Sequence, residues 1–255
     1  MLSHSVAGAG PDVVLLHGVG LDHTMWDRLL PALLEDHRVT TVDLRGHGAS
    51  GPAAPGTSLG DLAEDVLEVI DTVGAERVHL VGFSLGALVA AHLAGHHPDR
   101  VATLSLVSSV AQRTRDEQQA VRLRLEAAQA NLDRTVDAAV ERWFDDAWRQ
   151  REPDLVADVR HTMLGNDPAS YLACYTVFAV GDQEVGPLLA DITAPTLAIT
   201  GSDDPGSTPD MSHRLAAAIP DAHAVVVEGA RHLLPLERPG ELAAALTKHF
   251  ERTTP

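Results

Sequence analysis

The sequence predicts an α/β protein with a mostly parallel, doubly wound sheet and a helical segment inserted late in the chain. Three observations predict it. Apolar, strand-like runs alternate with helical stretches across connections too long for hairpins. One strand-to-helix junction carries Gly82-Phe83-Ser84-Leu85-Gly86, a G-x-S-x-G. The alternation stops after Ser109, gives way to helical periodicity alone from about Arg113 to Val180, and resumes at Pro195.

In chain order, Ser3 to Val6 reads as an edge strand before the turn Gly8-Ala9-Gly10-Pro11. Val13-Val14-Leu15-Leu16 is a continuous apolar run, as expected of a strand covered on both faces, and it ends in His17-Gly18-Val19-Gly20. A helix is expected from about Met25 to Glu35, capped by Thr24 with Asp27 as box partner. Val39 to Val42 is the next strand, followed by the glycine-punctuated loop Asp43-Leu44-Arg45-Gly46-His47-Gly48-Ala49-Ser50. Ser58 and Asp61 open a helix that runs to Val73 and stops at Gly74. Val78 to Val81 is a buried strand, and the apolar helix after Ser84 ends at His97-Pro98. Thr103 to Val107 is a further strand.

Within the insert, Thr114 and Glu117 form a capping box for a first helix. A second carries Val136, Val140, Trp143 and Phe144 on one side. Pro153 begins a third, and Asp167-Pro168 a fourth, as N-cap and N1 proline. Beyond it come the strand Thr196 to Ile199, the loop Gly201-Ser202-Asp203-Asp204-Pro205, and a helix from about Pro209 to Ala218. The strand Ala224 to Val227, the loop Glu228 to His232 and a helix from Glu241 to Phe250 complete the chain. The expected domains are residues 1–110 with 191–255 for the sheet, and 111–190 for a helical cap.

A chain of 255 residues suffices for one large α/β domain with an insertion. Its 45% hydrophobic content is ordinary for a globular core. The formal net charge of −17 leaves no basic stripe to release counterions, which argues against nucleic acid and anionic membrane as partners. Cys174 stands alone, so no intrachain disulfide can form, and it reads as a small buried residue. Residues 1–11 lack a basic n-region and an apolar core, and no apolar run reaches the roughly 20 residues that span a bilayer. A soluble, cytoplasmic protein is expected.

The G-x-S-x-G carries the chemistry. A serine between strand and helix needs a backbone too tight for side chains beside it, and Gly82 and Gly86 supply the room. Such a turn lifts the Ser84 hydroxyl out of the sheet as a nucleophile. A serine hydroxyl needs a base within reach, and the base needs an orienting acid. Sites in open parallel sheets lie at the carboxyl ends of strands. His232 follows the last strand, and Asp203 and Asp204 follow the one before; Asp204 is preferred, with Asp203 the alternative. The other position for the acid, after Thr103 to Val107, holds Ser108 and Ser109, which cannot ionise. The oxyanion formed on attack needs backbone donors already in place, expected from the N–H of Leu85 and of Val19. His17, His47, His92, His96 and His97 read as structural, and no spacing supports a metal site.

In sum, His17-Gly18 after a strand, Trp26 in T-M-W-D, the loop D-L-R-G-H-G-A-S, the G-x-S-x-G turn, G-S-D-D-P and the late His232 resemble the α/β-hydrolase superfamily over nearly the whole chain. The resemblance implies a cap inserted after the sixth strand, a Ser84–His232–Asp204 triad, and no metal or organic cofactor. Epoxide hydrolases and haloalkane dehalogenases of this fold carry an aspartate where Ser84 stands. The R-G-H-G-A-S loop, Glu141-Arg142-Trp143-Phe144, and Pro209-Asp210-Met211 resemble the 3-oxoadipate enol-lactonases and related esterases most. The start is shorter than in those relatives, the acid loop slightly longer, and Leu85 replaces a frequent methionine. The expected function is hydrolysis of a small carboxylic ester or lactone through an acyl-enzyme. Meta-cleavage C–C hydrolysis, and acyl transfer to another acceptor or to peroxide, are the alternatives. Trp26, Trp143, Phe144, Met163, Tyr171 and Phe178 are candidate pocket residues, and Arg142 or Arg134 a candidate cation for an acidic substrate.

Overall fold

Residues 1–253 are described by the structure, a computed structural model. Seven strands, β1 (His4–Gly8), β2 (Asp12–Leu16), β3 (Arg38–Val42), β4 (Val78–Phe83), β5 (Val101–Val107), β6 (Thr196–Gly201) and β7 (Ala222–Val227), form one sheet. Their order is β1-β3-β2-β4-β5-β6-β7. β1 runs antiparallel to β3, and every other neighbouring pair is parallel. Burial follows position: β4, in mid-sheet, is buried at every residue, whereas β1 at the edge is mostly exposed.

Helices flank the sheet. The short α1 (Leu30–Leu33) precedes β3, and α2 (Leu59–Thr72) precedes β4. α3 (Leu85–His96) packs on β4, β5 and α2. Its residues from Leu85 to Ala91 are all buried, as suits a helix apolar on every face. Each fully buried leucine or valine there contributes about 1.5–3 kcal/mol.

After β5 the chain leaves the sheet for α4 (Arg115–Ala130), α5 (Leu132–Trp143), α6 (Asp146–Arg151), α7 (Pro153–Gly165) and α8 (Pro168–Val185). This insert follows the fifth strand in chain order, not the sixth, because the sheet begins with the single antiparallel edge strand β1. α8 packs on α3 and on α4. A 3-10 turn, Gly186–Asp191, leads back to β6; α9 (Pro209–Ala218), α10 (Leu234–Glu237) and α11 (Pro239–Phe250) follow.

The capping boxes at Ser58/Asp61 and Thr114/Glu117 are both formed. The helix expected over 25–35 is instead a 3-10 turn, His23–Trp26, and then α1. Its N-cap is Asp22, which accepts from the Thr24 N–H; Thr24 sits inside the turn. Pro31 explains the break. With no N–H and a ring that clashes one turn back, it fits only the first turn of a new helix. Asp145 caps α6, a helix the sequence reading passes over.

Candidate active site

Ser84 leaves β4 and opens α3 at φ 53°, ψ −108°. That conformation costs a non-glycine residue about 1–3 kcal/mol and persists only where its surroundings enforce it. Two glycines make it possible. A Cβ on Gly82 would stand 2.2 Å from the Gly86 carbonyl oxygen, and one on Gly86 would stand 2.3 Å from that of Leu16. The Ser84 N–H donates to the Val107 carbonyl at 3.0 Å, and the Gly86 N–H to that of His17 at 3.1 Å, pinning the turn to the strands on either side.

His232 lies in the loop after β7, its Nδ1 2.6 Å from Asp204 Oδ2, with both side chains buried. Asp204 sits in the turn after β6, where its Oδ1 accepts from the N–H of Gly206 at 2.8 Å and of Ser207 at 2.9 Å. Asp203, the alternative acid, is exposed and accepts from the Ser202 hydroxyl. An ionised carboxylate only accepts, so His232 Nδ1 carries a proton and donates to Asp204. The Ser108 hydroxyl donates to the His232 carbonyl at 2.8 Å, so the residue in the other acid position braces the histidine loop. A Cβ on Gly201 would come within 2.1 Å of the Ala230 carbonyl oxygen, so only glycine lets β6 end against this loop.

The Val19 loop is tied down by two histidines. The Leu44 N–H donates to His17 Nε2, and the Gly20 N–H to His47 Nε2, each at 2.9 Å. An amide N–H can only donate, so both Nε2 atoms are unprotonated. The ring protons then sit on Nδ1, which donates to the Gly18 carbonyl from His17 and to the Arg45 carbonyl from His47. Burial lowers both pKa values, that of His47 to about 3, with His17 adding to the shift. The Leu85 N–H is the first of α3 and has no acceptor within its helix. The Val19 N–H has no protein acceptor among the described residues.

Ser84 and His232 line one cavity. Val19, Phe83 and Ser207 line its floor side, and the inserted helices supply Arg124, Arg142, Trp143, Tyr171, Tyr175 and Phe178. The Trp143 ring stacks on His232 with centroids 5.5 Å apart. Burial pushes the Cys174 thiol up to about 12, and its Sγ–H donates to the Arg45 carbonyl outside this cavity.

The family profile described as the alpha/beta hydrolase fold matches residues 11–239. The chain belongs to the α/β hydrolases. Among its relatives in that family is the (E)-2-((N-methylformamido)methylene)succinate hydrolase of Acinetobacter baylyi, 32% identical over 96% of this chain and 92% of its own. The 3-oxoadipate enol-lactonase 1 of the same organism is 34% identical over 78% of this chain and 73% of its own. The crystal structure of the enol-lactonase from Burkholderia xenovorans LB400 superposes with a TM-score of 0.90 at 28% identity, covering 97% of this chain and 95% of the other.

Of the candidate pocket residues of this α/β hydrolase, Arg142, Trp143, Tyr171 and Phe178 line the cavity. Trp26, Phe144 and Met163 do not: all three are fully buried in the core. Phe144 stacks on Trp148 with centroids 4.3 Å apart, and Met163 lies against Gly20. Each is as apolar as a lining residue, and core packing claims it. Arg134 is exposed on an outer groove of α4 and α5. Missed by the sequence reading are Tyr175, one turn beyond Tyr171, and Thr135 and Ala139, two turns and one turn before Arg142 and Trp143. Helical spacing was the available signal for those. Arg124 has no such signal in its charged helix.

Proposed function

We propose that this α/β hydrolase cleaves a carboxylic ester or lactone through an acyl-enzyme, with enol-lactones like those in the names of two relatives as the specific candidates. His232 Nε2 takes the Ser84 proton as Oγ attacks the carbonyl carbon. The carbonyl oxygen becomes an oxyanion held by the Leu85 and Val19 N–H groups. Collapse expels the alkoxide, which leaves with the proton from His232, or stays tethered in a lactone. Water, deprotonated by His232, then releases the acid and restores Ser84. Asp204 keeps the ring in one tautomer and stabilises the imidazolium. The observation that carries this reading is the buried 2.6 Å contact of His232 with Asp204 on the wall of the cavity that Ser84 shares.

Ser84→Ala leaves the glycines of the turn intact, so the fold is expected to persist by circular dichroism. Turnover of p-nitrophenyl acetate is expected to fall by on the order of 10⁴-fold or more. A fluorophosphonate probe should label the parent protein and not the variant. Retention of parent turnover by the variant overturns the assignment.

A further inference from the structure

The loop that carries His232 grips the last turn of α5 through two adjacent residues. Trp143 ends α5, and its indole stacks on the His232 ring at an interplanar angle of 26°, with centroids 5.5 Å apart. Arg231, the residue just before His232, holds the same helix end. Its Nη1 donates to the carbonyls of Glu141 at 3.2 Å and Phe144 at 3.3 Å, which bracket Trp143 along the chain. The last carbonyls of a helix have no partner within it, and a cation there also meets the negative end of the helix dipole. The loop side is fixed as well. The Arg231 N–H donates to Glu237 Oε2 at 2.9 Å, and the His232 carbonyl accepts from the Ser108 hydroxyl. A second aromatic ring, Phe83, meets His232 tilted by 57°. The nearly parallel ring is the one from the inserted helices.

We propose that Trp143 is a catalytic residue whose indole supports the positive charge His232 acquires, and that Arg231 is the positioning residue that holds it there by capping α5. The inference rests on the hydrolase reading above. In that mechanism His232 takes a proton twice, from Ser84 and then from water, and gives it up to the leaving group and to Ser84. Each time the ring becomes an imidazolium, with Asp204 at its Nδ1 and the indole stacked on it. A cation within about 6 Å of an indole centroid is attracted by the ring quadrupole, more strongly when both are out of water. His232 is buried and Trp143 partly so. The attraction is to the charged ring, so it is stronger in the transition state than with the neutral imidazole of the resting protein. Only such a difference accelerates a step. The other ionisable groups around the site are Glu237 on α10, Arg231 in the loop, Arg124 and Arg142 on α4 and α5, and Tyr171 and Tyr175 on α8.

The test reads kcat/KM for p-nitrophenyl acetate against pH, over the range in which circular dichroism stays native. Its acid limb reports protonation of the free enzyme's base. Site-specific incorporation of mono-, di- and trifluorotryptophan at position 143 keeps the shape of the ring and drains its π face step by step. A less supported imidazolium forms only at lower pH. The limb should therefore move to lower pH along the series, by about half a unit to one unit in all, while the plateau falls several-fold. Arg231→Gln should move the limb in the same direction, and Arg231→Lys should restore part of the shift. Loss of the Arg231 charge by itself would move it to higher pH, so the direction separates holding the indole from simple repulsion. In Trp143→Leu, with no indole to hold, Arg231→Gln should no longer lower the limb. A limb unmoved by fluorination overturns the role of Trp143. A limb unmoved, or moved to higher pH, by Arg231→Gln overturns that of Arg231. Titration of the His232 ring by NMR in Ser84→Ala, assigned by its loss in Ser84→Ala/His232→Gln, separates this inference from the hydrolase reading. A midpoint that follows fluorination, with no turnover by the parent protein, sinks the hydrolase and keeps the indole–imidazolium pairing. Turnover with a midpoint indifferent to fluorination does the reverse.

Discussion

At the scale of single residues, the neutral histidines behind Val19 hold the loop that the proposed mechanism uses for its oxyanion. His47 accepts from the Gly20 N–H in a buried setting, so its ring must stay unprotonated. His47→Phe keeps a ring of similar size and leaves that N–H without an acceptor, a loss of about 1–3 kcal/mol of stability. In the proposed mechanism the Val19 amide acts on charge that appears only in the transition state. Ester turnover by the variant should therefore show kcat falling further than KM rises. A variant with parent kcat and a raised KM would place His47 in binding instead. His17, tied to Leu44 in the same way, belongs to the same unit.

At the scale of elements, the inserted helices are fastened by a buried ion pair. The Arg113 N–H and Nη1 both donate to Asp182, at 2.9 and 2.8 Å, and the guanidinium carbon sits 4.8 Å from the centre of the Phe178 ring. This joins the start of α4 to α8, the helix that carries Tyr171, Tyr175 and Phe178 into the cavity. Asp182→Ala strands a buried cation, and the expected loss is about 3–5 kcal/mol in urea unfolding. The double variant Arg113→Met/Asp182→Leu removes the charge as well as its partner and should recover most of it. If the double variant is no more stable than Asp182→Ala, the ion pair is not what holds α8. A second link, Glu117 to Arg214 at 2.9 Å, ties α4 to α9 and shares its carboxylate with the Thr114 capping box.

At the scale of the whole molecule, buried neutral histidines set the acid limit. Burial is the largest cause that lowers His17, His47, His79 and His249, with a neighbouring histidine next for the last three. His47 falls to about 3, and His79 and His249 to about 4. The unfolded chain takes up these protons near pH 6.5 and the folded chain does not. Stability is therefore complete above about pH 6.5 and falls as the pH drops toward the folded values. Each histidine contributes a slope of up to ~1.4 kcal/mol per pH unit. The urea midpoint should drop steeply between pH 7 and pH 5, and less steeply in His47→Gln. A flat midpoint over that range contradicts the idea.

Much of the site was legible because its rules are local. Gly82 and Gly86 are dictated by backbone clearance around Ser84, and Ser58/Asp61 and Thr114/Glu117 by hydrogen bonds within four residues. The strand order could be inferred only in kind, and the helix over 25–35 was misjudged because Pro31 outweighed the apolar spacing. Asp203 and Asp204 are neighbours of one chemical type. Only the folded turn, whose Gly206 and Ser207 amides capture Asp204, shows which carboxylate meets His232. Trp26, Phe144 and Met163 have the composition of a pocket and the burial of a core, since hydrophobicity states that a side chain leaves water and not where it goes. By itself the sequence determined the alternation of strand and helix, the strained serine and the chain order serine, acid, histidine, all set by short-range sterics and periodicity. Tertiary structure alone decided which carboxylate meets His232 and how two histidines brace the loop at Val19, because each depends on distances between segments far apart in the chain.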